Sequence, residues 1–191
     1  MTTVVEQRGA AASEMTTTVI YEQLAQAWIG RKRHIWVEGG TAASKTFSVL
    51  QLLVLIAQYA KSPLLISVVS ESVPHLKRGV MRDFRSIMGA TFREERWSRT
   101  DSLYDFGKAR LEFFSADEPS KLRGGRRDIL FINEANNIPW ETAQGLDIRT
   151  ARFTFADWNP TAEFWAHEYW VGQPENVYIH STYQDSKWCL P

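Results

Sequence analysis

The chain is poor in several things that would settle its class at a glance. It has one cysteine, Cys189, among 191 residues. No intramolecular disulfide can form, which fits a reducing compartment and not a stapled secreted scaffold. Its place beside the C-terminus argues against a catalytic thiol. Net charge is also absent, with Lys plus Arg and Asp plus Glu at 22 each. That balance neither favours nor excludes a nucleic-acid partner, which would need basic residues gathered on one face. No signal-peptide pattern opens the chain. The longest apolar run, FSVLQLLVLIAQYA, is broken by Ser48 and Gln51. It is too short and too polar to cross a bilayer and reads as a buried helix, so no membrane role is expected. Repeats and low-complexity tracts are missing too. Tryptophan is abundant, with eight residues, which implies large flat contacts. The length suits one domain with a sizeable core.

Residues 1–17 read as a weakly ordered lead-in. VIYEQLAQAWIG has apolar residues at helical spacing and stops at Gly30. A short strand, a loop and a long helix follow, and Pro63 ends that helix. LLISVVS and DILFIN are continuous apolar runs of strand length, as expected of strands buried on both faces of a parallel sheet. PHLKRGVMRDFRSIMGATF reads as one helix. SLYDFGKARLEFFSA alternates about Gly107-Lys108 and predicts a hairpin added to the sheet. ARFTFADWNP predicts a strand, TAEFWAHEYWVG a helix and NVYIHSTY a last strand. The alternation of strands and helices predicts a three-layer α/β domain over 18–183 with a mostly parallel sheet.

The loop WVEGGTAASKTF carries the chemistry. It fits the phosphate-binding pattern G-x-x-x-x-G-K-[ST] between a strand and a helix, except that Ser44 stands where the second glycine belongs. In this pattern backbone N–H groups and the helix N-terminus surround an anion. The span Gly39, Gly40, Thr41, Ala42, Ala43, Ser44, Lys45 and Thr46 is the expected nucleotide cradle. Lys45 would reach the outer phosphates of ATP, and the Thr46 hydroxyl would reach Mg²⁺. Ser44 is acceptable there if the backbone stays helix-like. The plain alternative is a Gly-Ser-Lys-Thr loop that merely caps a helix.

Two more elements lie downstream. Glu134 follows the strand DILFIN, placed to orient and deprotonate the water that attacks a γ-phosphate. The residue before such a Glu is normally an Asp near Mg²⁺. Here it is Asn133, which brings no charge but could accept a hydrogen bond from a metal-bound water. FADWNP then supplies Asp157 or Asn159 as a sensor of the γ-phosphate, although Asn-Pro is also an ordinary turn former. Taken alone, Glu134 is equally an ordinary acid at a strand end.

Together, GGTAASKT, KLRGGRRDILFINEANNI, ADWNPTAEFWAHEYW and HSTYQDSKWCLP resemble the ATPase domain of the large terminase subunit of tailed bacteriophages, from about Tyr21 onward. The resemblance implies an additional-strand, catalytic-Glu P-loop fold. It implies a motor that packages double-stranded DNA into a procapsid in the host bacterial cytoplasm, with ATP and Mg²⁺ as cofactors. It also implies a homo-oligomeric ring on a portal protein and a small terminase subunit as partner. Glu134 would be the catalytic carboxylate, and Lys45 would bind phosphate. Arg123 would reach into a neighbour's site, and the motif around Asn159 would couple hydrolysis to movement. Asn133 would act with Thr46 on Mg²⁺ through water. Tyr21 and Gln23 fall where relatives contact adenine, although plain packing fits Tyr21 equally. Two departures bear on turnover: Thr41 stands where many relatives carry an arginine, and Asn133 replaces the usual Asp.

The resemblance also implies a C-terminal nuclease, for which the chain supplies no clustered carboxylates, so 184–191 reads as the start of a linker in an isolated ATPase domain. Arg78, Arg82 and Arg85 fall on one helical face that is either solvated surface or a DNA-backbone contact. Other readings are a helicase-like P-loop ATPase, a small-molecule kinase, or a nucleotide-binding assembly module with little hydrolysis. A kinase needs an arginine-bearing lid and no Glu at that strand end. A helicase usually brings a second motor domain.

Overall fold

The computed structural model describes residues 18–41, 43–117, 125–182 and 185. Helix α1 (Val19–Ile29) starts at Thr18, whose hydroxyl accepts from the Tyr21 N–H. Strand β1 (His34–Gly39) leads into the loop and helix α2 (Lys45–Gln58). Strand β2 (Leu64–Ser70), helices α3 (Val73–Arg78) and α4 (Val80–Met88), and strands β3 (Trp97–Ser98), β4 (Leu103–Asp105) and β5 (Ala109–Ser115) follow. Then come β6 (Arg127–Ile132), α5 (Trp140–Ile148), β7 (Thr150–Trp158), α6 (Trp165–Tyr169) and β8 (Val177–Ser181).

The strands form one sheet in the order β3-β4-β5-β2-β6-β7-β1-β8. Pairing is parallel from β5 to β8 and antiparallel only at the β3–β4–β5 edge. The hairpin read from the sequence is that edge. Strand β7 lies between β1, which feeds the loop, and β6, which leads into Asn133. That inserted strand is the mark of the additional-strand P-loop architecture.

Strand alternation explains the three layers. Ile35 and Val37 of β1, Ile66 and Val68 of β2, Ile129 and Phe131 of β6, and Phe155 of β7 pack against α1 to α4. Trp36, Val69, Leu130, Ile132, Ala156 and Trp158 face α5 and α6. Each fully buried Leu, Ile, Val or Phe contributes about 1.5–3 kcal/mol. Trp36 also stacks on Trp170 at 4.1 Å between ring centres.

Three elements differ from the sequence reading. The helix expected after β2 breaks at Gly79, whose N–H closes α3 on the His75 carbonyl. Arg78 therefore sits on a different helix from Arg82 and Arg85, and the single basic face is not formed. Arg85 is engaged elsewhere, with Nη1 2.9 Å from Glu94 and its guanidinium 4.4 Å from the Phe92 ring centre. Helix α6 is shorter than expected: the Thr161 N–H closes a turn on the Asn159 carbonyl, and the helix begins only after Phe164. The two-residue strand β3 had no signal of its own. No helix among the described residues is long and apolar enough to cross a membrane.

At the amino ends of the strands, Asp147 of α5 accepts from Thr154 Oγ1 and lies 3.2 Å from His34 Nε2. Burial pushes its carboxyl up, but these hydrogen bonds and the positive charges of His34 and Arg33 outweigh burial and hold it below its ordinary value. A depressed carboxyl stabilises the fold above the ordinary carboxylate range. That contribution is lost as pH falls from the unfolded value through the lower folded one. Asp147→Asn is expected to cost about 2 kcal/mol at neutral pH. Its deficit should shrink in acid, as read by denaturant midpoints across pH.

Candidate active site

Parity along the strands decides which side chains reach α2. Ser70 follows Ile66 and Val68 by even steps, Asn133 follows Ile129 and Phe131, and Asp157 follows Phe155. All three therefore emerge on the α2 side, at the carboxyl ends of β2, β6 and β7. Register brings Ile132 beside Ala156, so Asn133 and Asp157 are neighbours. Ligands of open α/β sheets bind at such strand ends.

The loop closes over this row. Lys45 is buried, and its ammonium donates to the carbonyls of Gly39 and Gly40 at 2.7 and 2.9 Å and to Asn159 Oδ1 at 3.0 Å. Burial pulls its pKa down, opposed by the charges of Asp157, Glu134 and Glu38. Thr46 Oγ1 donates to Asp157 Oδ2. Asp157 Oδ1 accepts from the Glu134 backbone N–H at 2.8 Å and from Asn133 Nδ2 at 3.0 Å. Burial raises the Asp157 pKa, opposed by the Thr46, Glu134 and Asn133 hydrogen bonds and the Lys45 charge. Asn133 Oδ1 accepts from Ser70 Oγ at 2.9 Å. The acceptor expected of Asn133 is therefore turned away from Thr46, and its amide nitrogen faces that hydroxyl at 3.3 Å.

Glu134 stands at the rim with φ 53°. Its Oε2 is 3.4 Å from His75 Nδ1, and Asn137 Nδ2 donates to it at 3.5 Å. Its side chain is partly exposed, between these two partners.

Ser44 departs from its expected conformation. It is left-handed, at φ 55° and ψ 17°, and not helix-like. This is the conformation for which glycine is favoured. Ser44 does not cap α2 with its side chain, so the first-turn N–H groups remain directed at the loop and suit an anion. Gly39 has a different constraint. It pairs with Ser181 of β8, and a Cβ there would run into the Ser181 carbonyl oxygen. Ser181 Oγ also donates to the Ala43 carbonyl at 3.0 Å. Gly40 meets no such neighbour. Thr41 is exposed and Ala43 buried. Ala42 and Arg123 lie outside the described residues.

Tyr21 and Gln23 are not brought together. Tyr21 is buried and lines an apolar hollow between α1 and α2 with Trp28, Leu52, Ile56 and Tyr59, and no residue from Gly39 to Thr46 lines it. Gln23 is exposed beside Tyr178 and His180 of β8.

Sequence reasoning overlooked Glu38. This buried acid directly precedes Gly39 and accepts from Trp158 Nε1 at 2.8 Å, with His167 Nε2 at 3.3 Å. Burial pushes its carboxyl up, but hydrogen bonds from Trp158, Tyr178 and His167 and the His167 charge prevail and hold it low. An acid inside the apolar run IWVEGG was the available signal. His75 and Ser70 gave none.

Among the described residues no three His, Cys, Asp or Glu converge as a metal cluster. Thr46 and the buried Asp157 carboxylate nonetheless suit a hard cation that takes most of its ligands from phosphates and water, as Mg²⁺ does.

Ser44→Gly is expected to stay within about 1 kcal/mol of the native stability, whereas Ser44→Val should lose about 1–3 kcal/mol, since a branched side chain resists the left-handed region. Thermal melts of both variants check this. Gly39→Ala should be more disruptive than Gly40→Ala in the same assay.

No protein-family model matches the chain, and no curated protein matches it. Solved structures do. The large terminase of the thermophilic bacteriophage D6E superposes with TM-score 0.79 at 16% identity, over 92% of this chain and 48% of that one. The same protein in complex with ATP-gamma-S gives 0.75 at 14% identity over 92% and 47%. The large terminase ATPase domain of Thermus phage P74-26 gives 0.57 at 16% identity over 83% and 78%. The chain thus spans about half the length of the D6E terminase. It has the three-layer P-loop fold of the phage large terminase ATPase domain.

Proposed function

We propose that this domain binds ATP with Mg²⁺, hydrolyses it, and uses the cycle to drive double-stranded DNA into a procapsid as the motor part of a phage large terminase. The observation that carries the reading is the convergence of Lys45, Thr46, Asp157 and Glu134 at one set of strand ends, in the fold seen in large terminases solved with ADP and with ATP-gamma-S.

The loop backbone from Gly39 and the first turn of α2 would hold the phosphates, with Lys45 exchanging one of its present acceptors for a phosphate oxygen. When bound beside Thr46, Mg²⁺ would neutralise phosphate charge. Glu134 orients the attacking water and takes its proton. Asn159 shares the Lys45 ammonium, so the turn after β7 would register the arrival and loss of the γ-phosphate. Arg123, from a neighbouring subunit, would stabilise charge on the transferring phosphoryl group. The proposed setting is a ring on the portal protein, served by a small terminase subunit, in the host cytoplasm.

A second reading is a nucleotide-binding assembly module with little turnover. It draws on the left-handed Ser44 and on Asn133 presenting a donor to Thr46.

Steady-state ATP hydrolysis against protein concentration separates the two. A motor completed between subunits gives a rate per subunit that rises with concentration. Glu134→Ala should keep ATP binding and lose about 10²–10⁴-fold in turnover. Lys45→Ala should lose binding, and Arg123→Ala only the concentration-dependent part of the rate. ATP binding with no turnover at any concentration, with or without DNA, would favour the assembly module.

A further inference from the structure

We propose that Asp157, on β7, is the carboxylate that holds the catalytic cation, in place of the acid missing from position 133 on β6. The inference deepens the function proposed above and rests on it.

The geometry relocates the charge by one strand. β7 lies between β1 and β6, so its end is nearer the loop than the end of β6. Asp157 is 1% exposed, and both of its oxygens are aimed into the site. Oδ2 takes the hydroxyl of Thr46, the side chain that faces the cation in this loop. Oδ1 takes Asn133 Nδ2 and the Glu134 N–H. Asn133 cannot serve the cation in this arrangement. Its oxygen is turned to the Ser70 hydroxyl, and the group it presents to Thr46 is an amide NH₂, which donates and does not accept. The orientation suits an ionised Asp157, which accepts only and so takes the amide nitrogen.

A buried carboxylate demands a partner. The partners of Asp157 are a hydroxyl, an amide and a backbone N–H, while the hydrogen bonds of Lys45 go to Gly39, Gly40 and Asn159. Lys45 already lends Asp157 positive charge, but its hydrogen bonds go elsewhere; a divalent cation held beside Thr46 would add a charge in direct or water-separated contact, with Asp157 as its ligand. Asn133 then becomes a positioning residue, clamped by Ser70 and holding Asp157 in line. Asp157 and Asn159 are two residues apart, so one strand end would carry both the cation contact and the lysine contact.

The test is a titration of a fluorescent ADP analogue with and without Mg²⁺, together with counting of bound Mn²⁺ by electron paramagnetic resonance in the presence of ADP. Asp157→Asn is expected to fold, since an amide there can donate to Thr46 Oγ1 and accept from Asn133 and Glu134. It should lose about 10–100-fold of the metal-dependent gain in nucleotide affinity and most bound Mn²⁺, while metal-free ADP binding persists. The exchange variant Asn133→Asp with Asp157→Asn should regain Mn²⁺ binding, and it carries the test if the single variant does not fold. Native metal dependence in Asp157→Asn would overturn the inference and leave the proposed function standing. So would an exchange variant that folds, binds ADP and recovers no Mn²⁺. Failure of the unaltered chain to bind ADP at all would overturn the proposed function, and this inference with it.

Discussion

A parallel sheet buried on both faces presents the last side chains of its strands as a single row on each face, and in this protein nearly everything depends on the row beneath α2. Ser70, Asn133 and Asp157 occupy it because each lies an even number of residues beyond apolar positions packed on the same face. Thr46 completes the row from above. The hydrogen bonds Ser70 to Asn133, Asn133 to Asp157 and Thr46 to Asp157 join three strands and a helix into one polar line within an otherwise apolar junction. Such a line is costly to bury unless every group in it is satisfied, and full satisfaction is also what makes its geometry unique.

The loop above this row is held by contacts from outside it. Gly39 admits the β8 backbone, and Ser181 bonds the Ala43 carbonyl. Thr18, at the start of α1, bonds Ser48 in the first turn of α2 at 2.8 Å. The loop is thus pinned from both flanks, by an edge strand and by a helix start. This supports a backbone that places a serine in the left-handed region without glycine's freedom.

Much of this was legible in the sequence. Continuous apolar strands, helical spacing in VIYEQLAQAWIG and the turn residues Gly107-Lys108 gave the layers and the edge hairpin, because each signal is local. Lys45, Thr46 and Glu134 were legible because the spacing of the loop and the strand-end acid are themselves sequence features. Other features arose only in three dimensions. The direction of the Asn133 amide depends on Ser70, 63 residues away. The position of Asp157 between loop and β6 depends on strand order, which no local pattern encodes. Gly79 read as tolerable within a helix, yet it divides one. The Glu38 carboxylate showed only as an acid in an apolar run, and its partners Trp158 and His167 lie more than 100 residues on.

The seating of β8 has a mechanical consequence. Ser181 touches Gly39 and Ala43, so the chain leaves the described sheet from the phosphate loop itself and not from a distant edge. A pull on the residues that follow β8 would reach the loop across one strand pairing and one side-chain hydrogen bond, with no intervening hinge among the described residues. By the same contacts, a shift of the loop would move Ser181. β8 is in this sense a short lever whose fulcrum is a glycine.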